Sequence, residues 1–146
     1  MTPTRILPDL QSSLICEEVR QEANGSLFLI GVINIIRVPQ VPIVAGRLCF
    51  FNRWTAGFGE FKETVRLIAT DQTTVLRQSQ IKFKLTDPNL HATNVTFLPQ
   101  VNFETEGAYF VEVLVDDVMK LRYPLLLSVV APPPSQQPPP TEEPEP

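Results

Sequence analysis

The side chains able to do acid–base or nucleophilic chemistry are few and widely spaced. One histidine exists, His91, in a polar stretch between Leu90 and Ala92. A histidine base needs an orienting acid and a nucleophile within hydrogen-bond reach. Nothing in the spacing brings a serine or aspartate to His91, so a solvated loop imidazole is expected. Cys16 and Cys49 both sit in apolar strand patterns, where a thiol behaves as a small hydrophobe. Two cysteines and one histidine give no structural zinc spacing. A bridge between the two thiols would need adjacent strands and an oxidising compartment; both are read as buried free thiols.

Calcium needs six to eight oxygens, usually from closely spaced acids. The candidate ligands Asp71, Asp87, Asp116 and Asp117 show no D-x-D repeat within one loop and read as turn formers. Gly57-Phe58-Gly59 is a GxG fragment without the third glycine or the following helix of a phosphate loop. The expectation is therefore no catalytic, metal or cofactor-binding residue, and a protein that is not an enzyme.

One segment has the composition of a contact site. In Arg53-Trp54-Thr55-Ala56-Gly57-Phe58 the only tryptophan and a phenylalanine flank a glycine loop beside an arginine. Aromatic and arginine side chains dominate binding hot spots, so Arg53, Trp54 and Phe58 are candidate contacts for a partner or for a stacked ligand. The competing reading is that Trp54 ends a core strand, since aromatics dominate small cores.

These residues must be held by some scaffold, and the bulk composition narrows it. The chain has 146 residues, enough for one domain and one core. Its net charge is −4, of which Glu142, Glu143 and Glu145 supply three units, leaving −1 on residues 1 to 131. A nucleic-acid binder normally presents a net basic face, and none is expected here. The most apolar run, Leu27 to Ile36, is interrupted by Asn34 and is far short of the roughly 20 residues a membrane helix needs. The stretch Met1 to Leu10 lacks the basic start and apolar run of a secretory signal. A soluble, cytoplasmic protein is expected.

From Ser12 to Val130 the chain reads as short segments rich in Val, Ile, Leu, Phe and Thr, punctuated by Gly, Asn, Asp and Pro, the pattern of an all-β domain. Leu14 to Val19 is a first strand, and Asn24-Gly25 offers two positive-φ positions for a tight hairpin turn. Leu27 to Ile36 returns as one strand, apolar on both faces, whose outer face must meet a loop, the N-terminal arm or another subunit. Pro39 and Pro42 make 38 to 43 a crossing loop or edge. Val44 to Arg53 is the next strand, with Val44, Leu48 and Phe50 inward. Phe61 to Ala69 alternates, with Phe61, Val65, Leu67 and Ala69 on one face, and Val75 to Leu85 does so strictly through Ile81, Phe83 and Leu85. Asn94 to Phe97 is a short edge strand beside Pro99. Tyr109, Val111, Val113 and Val115 form the first arm of a last hairpin that turns at Asp116-Asp117 and returns through Met119, Leu121, Tyr123, Leu125, Leu127 and Val129.

No stretch carries a sustained helical stripe, so a second sheet must cover the first. The predicted fold is an all-β antiparallel sandwich of seven to eight strands, Ig-like or C2-like, with an N-terminal arm over 1–11 and the sandwich over 12–131. Residues 132–146 hold eight prolines and three glutamates; such a segment cannot bury enough apolar surface to order itself, and a disordered tail is expected.

Two segments carry a family likeness: Cys16-Glu17-Glu18-Val19-Arg20-Gln21-Glu22 with Gly25 and Ile30-Gly31-Val32, and later Glu106-Gly107-Ala108-Tyr109 with Val113-Leu114-Val115-Asp116-Asp117 and Pro124-Leu125. With these the chain resembles an uncharacterised bacterial family of small β-sandwich proteins over nearly all of residues 12 to 130. The resemblance implies a sandwich fold in a bacterial cytoplasm and supplies no catalytic residue. The functional expectation is a non-enzymatic interaction module with a protein partner, or one self-associating through the apolar face of Leu27 to Ile36. The alternative is a module for carbohydrate or lipid.

Overall fold

The computed structural model describes residues 4–130; the proline- and glutamate-rich segment 132–146 lies outside them. The described residues form nine strands and no helix: β1 (Asp9–Gln21), β2 (Leu27–Val32), β3 (Ile35–Val38), β4 (Ile43–Thr55), β5 (Gly59–Ile68), β6 (Val75–Leu85), β7 (His91–Phe103), β8 (Gly107–Val115) and β9 (Val118–Val129). They make two sheets, one ordered β2-β1-β4-β7 and the other β3-β9-β8-β5-β6. One apolar cluster draws on both, with Ile15, Leu48, Phe50 and Trp54 from the first and Val65, Leu67, Val111, Val113, Leu125 and Leu127 from the second. On the side of β6 and β7, the Arg77 guanidinium donates to the Pro99 carbonyl at 2.8 Å, tying one sheet edge to the other.

The alternation in β5, β6, β8 and the Tyr123 to Leu127 part of β9 lies where the side-chain pattern predicts it, whereas Met119, Leu121 and Val129 are exposed, and β5 ends at a buried Ile68, after a register shift, instead of running on to an inward Ala69. Asp116 and Asp117 both adopt positive φ (46° and 67°), the conformation a two-residue hairpin turn requires. Elsewhere the structure corrects the sequence reading. The run Leu27 to Ile36 is two strands rather than one. β2 pairs antiparallel with β1 and β3 pairs parallel with β9, so the chain leaves one sheet and joins the other between Val32 and Ile35. Gly31, at φ 67°, precedes that crossing. Among the described residues the strands thus number nine, not seven or eight, and one pairing is parallel.

The Asn24-Gly25 turn uses positive φ at Gly25 alone. Gly25 N–H donates to the Glu22 carbonyl at 2.9 Å and Glu22 N–H to that of Ser26 at 2.8 Å, a type I turn followed by a left-handed residue. β1 begins at Asp9, inside the expected arm. Asn94 to Phe97 is the middle of a 13-residue strand, which does lie at a sheet edge and tolerates Pro99 for that reason. Val44 points outward, 57 % exposed, while Ile43 and Ala45 pack on the core. Both β4 and β7 change their inward parity at one level, from Ile43 and Ala45 to Leu48 and Phe50, and from Leu98 to Val101 and Phe103. Gln100 stands between at φ 52°, and a left-handed residue breaks the two-residue side-chain period.

A Cβ on Gly31 would lie 2.9 Å from the Glu17 carboxyl group. That side chain can move aside, but the left-handed backbone cannot be relieved so easily. Gly31→Ala is expected to cost about 1–2 kcal/mol, read as a lowered urea midpoint with unchanged slope.

Candidate functional site

Arg53, Trp54 and Phe58 do not converge. Successive residues of a strand point to opposite faces, and Arg53 and Trp54 are neighbours within β4. Trp54 is fully buried in the core, its ring 5.6 Å from that of Phe83 and stacked on it. Arg53 faces the other way, half-buried on the outer side of the first sheet. Phe58 lies in the connection to β5, where its backbone exchanges hydrogen bonds of 2.9 and 3.0 Å with Ile6 of the N-terminal segment. Trp54 accordingly offers no ring to a partner; it ends a core strand.

Its indole instead reveals a feature the sequence reading passed over. Trp54 Nε1 donates to Glu63 Oε1 at 2.8 Å, and Glu63 is 1 % exposed. Glu63 occupies an inward position of β5 between Phe61 and Val65, the one non-apolar residue in that alternating series. Around it, Asn52 of β4 faces Asn94 of β7 across the ladder, with Thr96 paired to Phe50 one step along; all three polar residues are buried. Burial pushes the Glu63 carboxyl above its usual value, opposed by the Trp54 indole and the nearby Asn94 and Asn52 amides. Glu63 Oε2, both polar atoms of the Asn52 amide, Asn94 Nδ2 and Thr96 Oγ1 make no good hydrogen bond to protein. A lone inward acid in the β5 pattern was the available signal; the buried asparagines gave none, because their strands were placed in register only by the fold.

The remaining reactive groups stand apart. His91 opens β7, exposed and paired through its backbone to Thr55. Cys16 and Cys49 are buried, free and directly opposite each other across β1 and β4. Burial, with the neighbouring Cys49, raises the Cys16 thiol. Asp71 accepts from the Thr73 and Thr74 amides at 2.9 and 2.8 Å and from the Thr74 hydroxyl, which holds its carboxyl down at about 2. Asp87 caps the Asn89 amide at 2.8 Å. Asp116 binds the Lys62 amide at 2.9 Å and the Arg5 guanidinium. Each of these three carboxylates closes a turn or ties the chain, and among the described residues no three acids, histidines or cysteines gather as a metal site would need.

The surface feature that does gather is apolar. On β2, Phe28 and Ile30 share one face, and they and Val32, just past the left-handed Gly31, are 51 %, 37 % and 46 % exposed; β2 is the outermost strand of its sheet. Neither the described part of the N-terminal arm nor a loop covers this face; that arm runs instead beside Phe58 and Asp116.

Among the described residues these features define two helix-free β-sheets with a buried polar cluster between them and an apolar edge on the exposed surface. The chain belongs to a family of unknown function, DUF6941, whose profile matches residues 11–128. No curated protein matches it.

Proposed function

We propose that the chain is a non-catalytic, Ig-like β-sandwich module that binds protein, foremost a second copy of itself, through the β1–β2 hairpin. The observation that carries this reading is the exposure of Phe28, Ile30 and Val32 on an edge strand. An unpaired edge offers a row of free N–H and C=O groups, and natural edges are blunted by lysine, proline or a bulge. The sequence of β2, LFLIGV, has neither lysine nor proline. Two copies related by a two-fold axis would pair β2 with β2 and cover each other's apolar rows, a self-complementary contact.

The Ig-like arrangement draws support from Tyr109 at the start of β8, whose hydroxyl donates to the Thr105 carbonyl at 2.6 Å. A tyrosine bonding back to the backbone a few residues upstream recurs at one corner of Ig-like sandwiches. Two buried free thiols suit a reducing compartment, in keeping with a cytoplasmic setting.

Multi-angle light scattering of the full chain tests self-association. A dimer at high concentration that Ile30→Lys converts to monomer is the expected result, since a lysine on the edge both charges the patch and penalises pairing. A strict monomer throughout, or an Ile30→Lys variant with unchanged mass, overturns the reading.

A further inference from the structure

We propose that the cleft beneath the β1–β2 hairpin is a binding site for a single-chain carboxylate amphiphile, with Arg53 as the anion contact. β1 pairs with β4 only as far as Cys16 opposite Cys49, and from Cys16 to Gln21 its register is with β2. Beyond that point the hairpin leans over the outer face of β4 and β7. Leu27 and Leu29 from the hairpin, with Phe51 and Arg53 from β4 and Thr93 and Val95 from β7, line a common cleft of about 670 Å³, within the ~300–1,000 Å³ typical of small-molecule sites. Leu27 and Leu29 alternate with Phe28 and Ile30 along β2, so the site does not rest on the self-association reading.

Among the described residues Arg53 is the only charged side chain on the walls of this cleft. Among the described residues it forms no ion pair, and its Nε is shielded from solvent without an acceptor. A guanidinium drawn partly out of water without a counter-charge is unfavourable. Its planar fork is matched by a carboxylate, which it can hold through two parallel hydrogen bonds. One unpaired cation calls for one negative charge, and Leu27, Leu29, Phe51 and Val95 supply an apolar bed for an alkyl chain beside it. A monocarboxylate with a hydrocarbon tail satisfies both halves; a sugar would leave the leucines facing hydroxyls.

Titration of the full chain with dodecanoate, below its micellar concentration, and with methyl dodecanoate tests this by calorimetry. Saturable one-to-one binding of dodecanoate is expected, with the uncharged ester at least ~10-fold weaker, because a hydrogen bond to a charged group contributes about 1.5–3 kcal/mol. Arg53→Gln should reduce dodecanoate to the level of the ester. Thr93→Phe, on the exposed edge strand, should narrow the cleft and weaken both ligands together. The native fluorescence of the single buried tryptophan, Trp54, reports whether each variant is folded, and Thr93→Phe decides if Arg53→Gln is not. Absence of saturable binding, equal affinity for acid and ester, or wild-type affinity in the folded variants overturns the proposal.

Discussion

Trp54→Ala is expected to lower the unfolding free energy by about 3–5 kcal/mol, the range for emptying a large buried aromatic site. Three consequences of one truncation add up here. The stacking with Phe83 is lost, and Phe83 in turn packs its ring 5.7 Å from that of Phe61, so the cavity opens at one end of an aromatic row spanning both sheets. Glu63 Oε1 loses the one side-chain donor that reaches it with good geometry. Trp54→Phe separates these effects, since it keeps a ring and deletes the N–H; it should cost about 1–3 kcal/mol for the oxygen left unpaired. Urea denaturation followed by far-ultraviolet circular dichroism measures both. A Trp54→Phe variant as stable as wild type would mean that the indole–carboxyl contact contributes nothing, and a mild Trp54→Ala would mean that the site collapses freely.

The same residue shows what the sequence made legible and what it did not. Hydrophobic alternation identifies strands because a half-buried strand must repeat every two residues, and β5, β6, β8 and β9 obey that rule through Val65, Leu67, Phe83, Val111, Val113, Leu125 and Leu127. It fails where the backbone departs from the repeat. Gln100 in the left-handed region inverts the inward face of β7, and β4 changes face beside it, so Val44 reads as core and lies in solvent. Gly31 and the crossing after Val32 divide one apolar run between two sheets, a choice made by long-range pairing with β1 and β9 that no local pattern encodes.

Arg53 and Trp54 are parted for a simpler reason: residues adjacent in a strand point to opposite faces, so closeness in sequence does not make them neighbours on a surface. Conversely, Arg53 acquires its cleft from Leu27 and Leu29, more than twenty positions earlier in the chain, once the β1–β2 hairpin swings over β4. The apolar face of Leu27 to Ile36 was legible as a surface in need of cover, and its β2 half remains exposed in the folded chain.

Glu63 sets a dependence of stability on pH whose sign is opposite to that of an ordinary surface carboxylate. Its carboxyl in the folded state lies above the ordinary 4.5, with burial the leading cause, so the folded protein holds that proton more tightly than the unfolded chain does. The resulting stabilisation is complete below 4.5 and is lost as pH rises through the folded value. Asp71 works the other way. Held at about 2 against an ordinary 3.8 by the Thr74 and Thr73 bonds, it contributes stability above 3.8 that disappears as pH falls toward 2. The summed contribution of these two groups is therefore greatest between 3.8 and 4.5. Glu63→Gln copies the protonated acid: its carbonyl can still accept from Trp54, and its amide can donate toward the Asn52 oxygen that otherwise has no partner. The variant is therefore expected to be at least as stable as wild type at neutral pH and to lose the decline above 4.5 while keeping the acid limb owed to Asp71. Thermal melts across pH 3 to 8 read this directly. A Glu63→Gln curve parallel to wild type at every pH would show that the carboxyl is not the titrating group, and a variant much less stable at neutral pH would show that the interior needs the charge.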